Sequence, residues 1–118
     1  MKILHLTLKK KWFDMIASGE KKEEYREIKQ FWAKRLANGI ETYLTAFLPK
    51  GYGYKIDWKE FDVIVFSHGY KRDRPQITVE FKGVDIDTGK SKWGAVPKKE
   101  YFVIKLGNIL TPVNNKLK

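Results

Sequence analysis

The stretch Gly19 to Arg26, GEKKEEYR, concentrates side chains suited to chemistry, with Lys21, Glu24 and Arg26 following a single glycine. A guanidinium offers a planar fork to a phosphate or carboxylate, an ammonium offers a compact charge, and a carboxylate orients both or exchanges protons. If residues 22 to 28 are extended, Glu24 and Arg26 leave the same strand face about 6.6 Å apart, within reach of each other. Lys21, in the turn before that strand, leans toward them. The trio suits phosphate or base binding and acid–base work, although a mixed charge run also serves as an ordinary solvated face. A lysine nucleophile must shed its proton near neutral pH. Burial or a neighbouring cation such as Arg26 promotes that loss, and Glu24 opposes it.

Further candidates lie later in the chain. The apolar run FDVIVFSHGY ends in Ser67, His68 and Tyr70, which can present hydrogen-bonding groups at a barrel mouth or cap a turn. Lys71, Arg72 and Arg74 follow in KRDRP, a basic turn suited to a nucleic-acid backbone. Trp93 sits among lysines in KSKWGAVPKK, where an aromatic ring beside cations suits stacking on a base. Trp12, Trp32 and Trp58 read as packing residues, and His5 as a packed or surface histidine. With 2 histidines far apart and no cysteine, no metal centre and no cofactor is expected. A Ser67–His68 hydrolase fails on geometry, because adjacent strand residues point to opposite faces and no G-x-S-x-G elbow surrounds the serine. GYGY lacks the following helix and lysine of a phosphate loop.

The elements that must position these groups follow from periodicity. KILHLTLK alternates, with Leu4, Leu6 and Leu8 on one side, and predicts a core strand. Trp12, Met15 and Ile16 then fall at helical spacing, and Gly19 stands where a left-handed residue ends a two-turn helix. A strand over 22–28 and a second helix over 29–38, stopped by Gly39, come next. The stretch Glu41 to Trp58, broken by Pro49, Gly51 and Gly53, predicts an ordered loop. FDVIVFSHGY predicts a strand buried on both faces. In QITVEFKGVDI the apolar parity switches across Gly83, which predicts a β-bulge. EYFVIKLGNIL, residues 100 to 110, predicts the last core strand.

The whole chain has 118 residues, enough for one core, with 42% apolar and 14% aromatic residues, well above disordered composition. Its 24 Lys and Arg against 14 Asp and Glu give a net charge of +10, which attracts polyanions. The N-terminal apolar run is too short and interrupted for a signal peptide or membrane span, so a cytoplasmic protein without membrane partners is expected. The sequence does not specify the oligomeric state, and a monomer is favoured. The order of elements predicts an α+β fold built on a small curved or closed β-barrel.

Gly19, Lys21, Glu24 and Arg26 match G-x-K-x-x-E-x-R, and the chain thereby resembles the ASCH domains, proteins of PUA-like fold. LHLTLKKKWFDMIASGEK resembles that family's first strand and helix, and YFVIKLGNI its closing strand. The resemblance implies a single domain over residues 1–110 with a flexible tail over 111–118. It implies a small PUA-like β-barrel of about five to six strands with two or three short flanking helices. It further implies a cleft lined by the signature residues and a partner that is RNA or a nucleotide-like ligand. Some ASCH proteins are amidohydrolases acting on N(4)-acetylcytidine and others are described as ribonucleases. In the amidohydrolases the signature lysine is the nucleophile, helped by a threonine three residues later and a distant glutamate. Lys21 keeps that lysine here, while Glu24 stands at the threonine position, where it would serve a hydrolase as general acid/base.

Overall fold

The structure is a computed structural model that describes residues 1–38 and 56–114. Most of the expected Glu41–Trp58 loop, and Gly39, lie outside the described residues. The chain forms β1 (Ile3–Leu8), α1 (Lys10–Ala17), β2 (Glu23–Arg26), α2 (Gln30–Leu36), β3 (Val63–His68), β4 (Gln76–Thr88), a 3-10 turn (Ser91–Trp93) and β5 (Glu100–Asn114). The strands make one mixed five-stranded sheet in the order β1-β3-β4-β5-β2, curled into a half-barrel. β1 and β3 run parallel, and every other pairing is antiparallel.

Alternation in β1 does what its period demands. Leu4, Leu6 and Leu8 are buried among Ile64, Phe66, Ile77, Val79, Phe102 and Ile104. Burying each such side chain stabilises the fold by roughly 1.5–3 kcal/mol, so this concave face dominates the energetics. β1 is buried on a single face, as its alternation predicts, and lies at the edge of the sheet. Helix α1 lays Phe13 and Ile16 onto the core and stops as its sequence predicts. Gly19 takes φ 85°, its N–H bonds the Ile16 carbonyl at 3.0 Å, and Lys21 N–H bonds the Met15 carbonyl at 3.0 Å, turning the chain straight into β2.

Helix α2 ends earlier than glycine placement predicts. Ala37 is already extended, φ −136° and ψ 162°, and forms an isolated bridge with Trp58. In β4 the bulge at Gly83, φ 112°, shifts the register between Phe81↔Leu106 and Val84↔Ile104. The extra residue keeps Ile77, Val79 and Val84 in one core despite their change of parity. β5 also departs from expectation: it continues past residue 110, with Thr111 opposite Thr78 and Asn114 opposite Gln76.

Among the described residues no ladder closes the barrel, because β1 and β2 are the two edges of the sheet. Side chains span the seam instead. Arg26 of β2 donates from Nη2 to the Thr7 carbonyl at 3.3 Å, and Arg35 of α2 donates from Nη2 to the His5 carbonyl at 3.2 Å. Both guanidiniums lie against the Trp32 ring, 4.7 and 5.6 Å from its centroid. They occupy carbonyls that an edge strand would otherwise offer to another chain.

Candidate functional site

Strand β2 aims its even-numbered residues into the half-barrel, since Glu24 lies opposite Ile104 and Arg26 opposite Phe102, both fully buried. Lys21, delivered by the turn after Gly19, is 1% exposed. Its Nζ donates to the Glu23 carbonyl and, at 2.6 Å, to Glu24 Oε1. The second carboxylate oxygen, Glu24 Oε2, takes Arg26 Nη2 at 2.8 Å. A carboxylate clamped between two cations is therefore fixed in position and direction. The arrangement also withstands burial that an isolated charge would not.

Burial pulls the Lys21 ammonium below its ordinary pKa of 10.5, against the opposing pull of Glu24 and with a further downward push from Arg26. The rings of Tyr25 and Trp12 lie 5.2 and 5.8 Å from its nitrogen. Tyr25 is held in turn: its hydroxyl donates to Glu23 Oε1 at 2.7 Å and accepts from Lys90 N–H at 2.9 Å. Burial pushes the Tyr25 phenol above its usual range.

Beside this network opens a cleft of about 500 Å³, within the range of small-ligand sites. Glu24 lies in its wall, with Trp12, Tyr25, Trp93 and Tyr101 as aromatic surface and Lys9 and Lys99 at its edges. Gly94 makes the close approach possible. At φ 101° it tolerates the turn, and a Cβ there would stand 2.9 Å from Trp12 Cζ2. Trp93 is 6% exposed, with the Lys90 and Lys92 ammoniums 4.7 and 4.9 Å from its ring centroid. Its indole N–H has no acceptor among the described residues, and neither does buried Arg26 Nε.

The candidates singled out in the sequence thus divide. Lys21, Glu24 and Arg26 converge, with Glu24 at the cleft and both cations behind it, while Gly19 supplies the turn. Trp93 joins them in the cleft wall. Ser67, His68, Tyr70, Lys71, Arg72 and Arg74 are not among its lining residues. Ser67 is buried and accepts a hydrogen bond from Gln76 Nε2 at 3.1 Å. His68 packs beside Phe13, ring centroids 6.2 Å apart. Tyr70 is 88% exposed on the basic turn, where the Lys71 carbonyl receives both the backbone N–H and Nη1 of Arg74 at 3.2 Å. Parallel pairing sets Leu8 beside His68, so this turn leaves the sheet at the same end as Lys9.

Sequence reasoning assigns Trp12 to packing and passes over Tyr25, Tyr101, Lys9 and Lys99. For Tyr25 a signal exists: in an extended GEKKEEYR it must face away from Glu24 and Arg26, onto whatever covers the other side of β2. For Trp12 and Tyr101 there is none, because their neighbours come from distant segments.

Among the described residues no group of histidine, aspartate and glutamate could hold a metal ion. No helix among them is long and apolar enough to cross a membrane. Comparison with family models, curated proteins and solved structures finds no match.

Proposed function

We propose that the cleft binds RNA or a nucleotide-like ligand, within an ASCH-like domain of PUA-like architecture. One observation carries the reading: a carboxylate locked by Lys21 and Arg26 stands in the wall of an aromatic cleft whose edges carry lysines. A base has a flat π-face for the half-buried Trp12 and Tyr25 rings, and its amino or ring N–H donors suit the fixed Glu24 carboxylate. Its phosphates suit Lys9 and the lysines around Trp93, and a longer strand would reach the basic turn beside Tyr70.

The test is titration with a short fluorescent single-stranded RNA and with nucleoside monophosphates, on wild type and on Trp12→Ala and Glu24→Gln. Saturable binding weakened by both substitutions supports the reading. Absent binding at low salt, or binding indifferent to both changes, overturns it.

A hydrolase at the same cleft is the second reading, and the lowered pKa of Lys21 favours it. Lys21 would act there as nucleophile or cation and Glu24 as general acid/base, on a modified nucleoside such as N(4)-acetylcytidine or on an RNA strand. Because the Lys21 nitrogen is covered, that chemistry requires the Trp12 or Tyr25 ring to move aside. Release of acetate from N(4)-acetylcytidine, or cleavage of a labelled RNA, that disappears in Lys21→Met supports it. Turnover equal in wild type and Lys21→Met eliminates it.

A further inference from the structure

The segment Val96-Pro97-Lys98-Lys99 turns beside the cleft, and both Val96 and Lys99 line it. Lys99 N–H bonds the Val96 carbonyl at 3.3 Å, with proline second in the turn. Of the two turn types that favour proline at the second place, only type II takes positive φ at the third, a place normally filled by glycine or asparagine. Here Lys98 fills it at φ 67°, the sole non-glycine at positive φ among the described residues. A left-handed backbone is unfavourable for a lysine, whose Cβ crowds the following carbonyl oxygen.

No contact of the Lys98 side chain among the described residues offsets that strain. The Lys98 side chain is exposed and takes part in no ion pair or hydrogen bond among them. Its neighbour differs: the Lys99 ammonium lies 3.7 Å from Glu27 and 5.3 Å from the Tyr101 ring centroid. The turn itself is pinned to the cleft wall, because Val96 N–H donates to the Tyr101 hydroxyl at 2.9 Å. Lys98 is therefore an uncompensated cation, held in an unfavourable conformation on a turn fixed relative to the cleft.

We propose that Lys98 is a ligand-contacting residue that meets a phosphate of the nucleotide or RNA in the cleft, an inference resting on the reading of the cleft given above. The chemistry it recognises is a phosphate oxygen, met by a single ammonium without regard to base identity. The turn accepts strain because glycine, the easier residue there, would bring no charge.

The experiment compares wild type with Lys98→Gly, Lys98→Ala and Lys98→Arg, by thermal melting and by titration with a short fluorescent single-stranded RNA of mixed sequence across a salt series. Lys98→Gly is expected to raise the melting temperature, by up to about a few degrees, while weakening RNA binding several-fold. Its slope of log affinity against log salt should fall by about 0.7, the share of one phosphate contact on a single strand. Lys98→Ala should weaken binding without the gain in melting temperature, and Lys98→Arg should keep both properties near wild type. Wild-type RNA binding that Lys98→Gly leaves unchanged in affinity and salt slope overturns this inference alone. A lower melting temperature in Lys98→Gly overturns it too, by giving the side chain a structural role. Wild type that binds neither RNA nor nucleoside monophosphate overturns the cleft reading and this inference together.

Discussion

Lys21 is the residue on which the binding reading and the hydrolase reading part company. Its ammonium is paired with Glu24 yet buried deeply enough for desolvation to prevail, so the folded chain gives up that proton more readily than the unfolded chain, whose ordinary pKa is 10.5. In the window below 10.5 the unfolded chain holds more protons, and stability accordingly climbs as pH rises through it. Tyr25 acts with the opposite sign. Its phenol ionises later in the folded chain than at the ordinary 10.0, so its contribution is complete below 10.0 and is lost above. Urea unfolding across alkaline pH checks both: the rise toward about pH 10 should be reduced in Lys21→Met, and the fall above it reduced in Tyr25→Phe. If wild type and Lys21→Met show parallel pH profiles, Lys21 titrates normally and the nucleophile reading loses its support.

At the level of elements, the seam between β1 and β2 is where stability and binding can be separated. Arg26 grips Glu24 and the Thr7 carbonyl and lies against Trp32, but it is not a lining residue of the cleft. Arg26→Ala leaves the Glu24 carboxylate with one cation and frees an edge carbonyl. The expected cost is about 2–3 kcal/mol of folding stability, with a smaller change in RNA affinity per folded molecule. Denaturant unfolding beside RNA titration checks it, and affinity falling more than stability would make Arg26 a direct ligand contact. Much of this layout is legible in the sequence. Alternation marks the buried leucines of β1, Gly19 marks the stop of α1, and the parity switch marks the bulge at Gly83. What local pattern misses depends on partners elsewhere. β5 runs on to Asn114 because Gln76 and Thr78 pair with it, and α2 stops at Leu36 because Trp58 claims Ala37 as a bridge. The trio Lys21, Glu24 and Arg26 is visible as a spacing, whereas the cleft is not, since it requires Gly94 to admit Trp12.

Over the whole molecule the +10 charge sets a field whose use depends on where the cations lie. Lys9, Lys90, Lys92 and Lys99 gather around the cleft, and Lys71, Arg72 and Arg74 occupy the turn at the Lys9 end of the sheet. If one strand of RNA touches both, changing Lys71, Arg72 and Arg74 together to Ala should flatten the salt dependence of affinity by about 0.7 for each phosphate no longer neutralised. The melting temperature should stay near wild type, because Lys71 and Arg72 are exposed and Arg74, among the described residues, bonds within its own turn. An unchanged salt slope would confine the ligand to the cleft.

The pairing of β2 with β5 has a kinetic side. Among the described residues β2 has no strand partner but β5, and in the chain β3 and β4 lie between Glu24 and the Ile104 it faces. Loop-closure entropy disfavours so distant a contact until the β4–β5 hairpin has been built, so β2 docks late in folding. A growing chain on the ribosome then carries Lys21, Glu24 and Arg26 as solvated charges, and their desolvation is deferred until β5 has emerged.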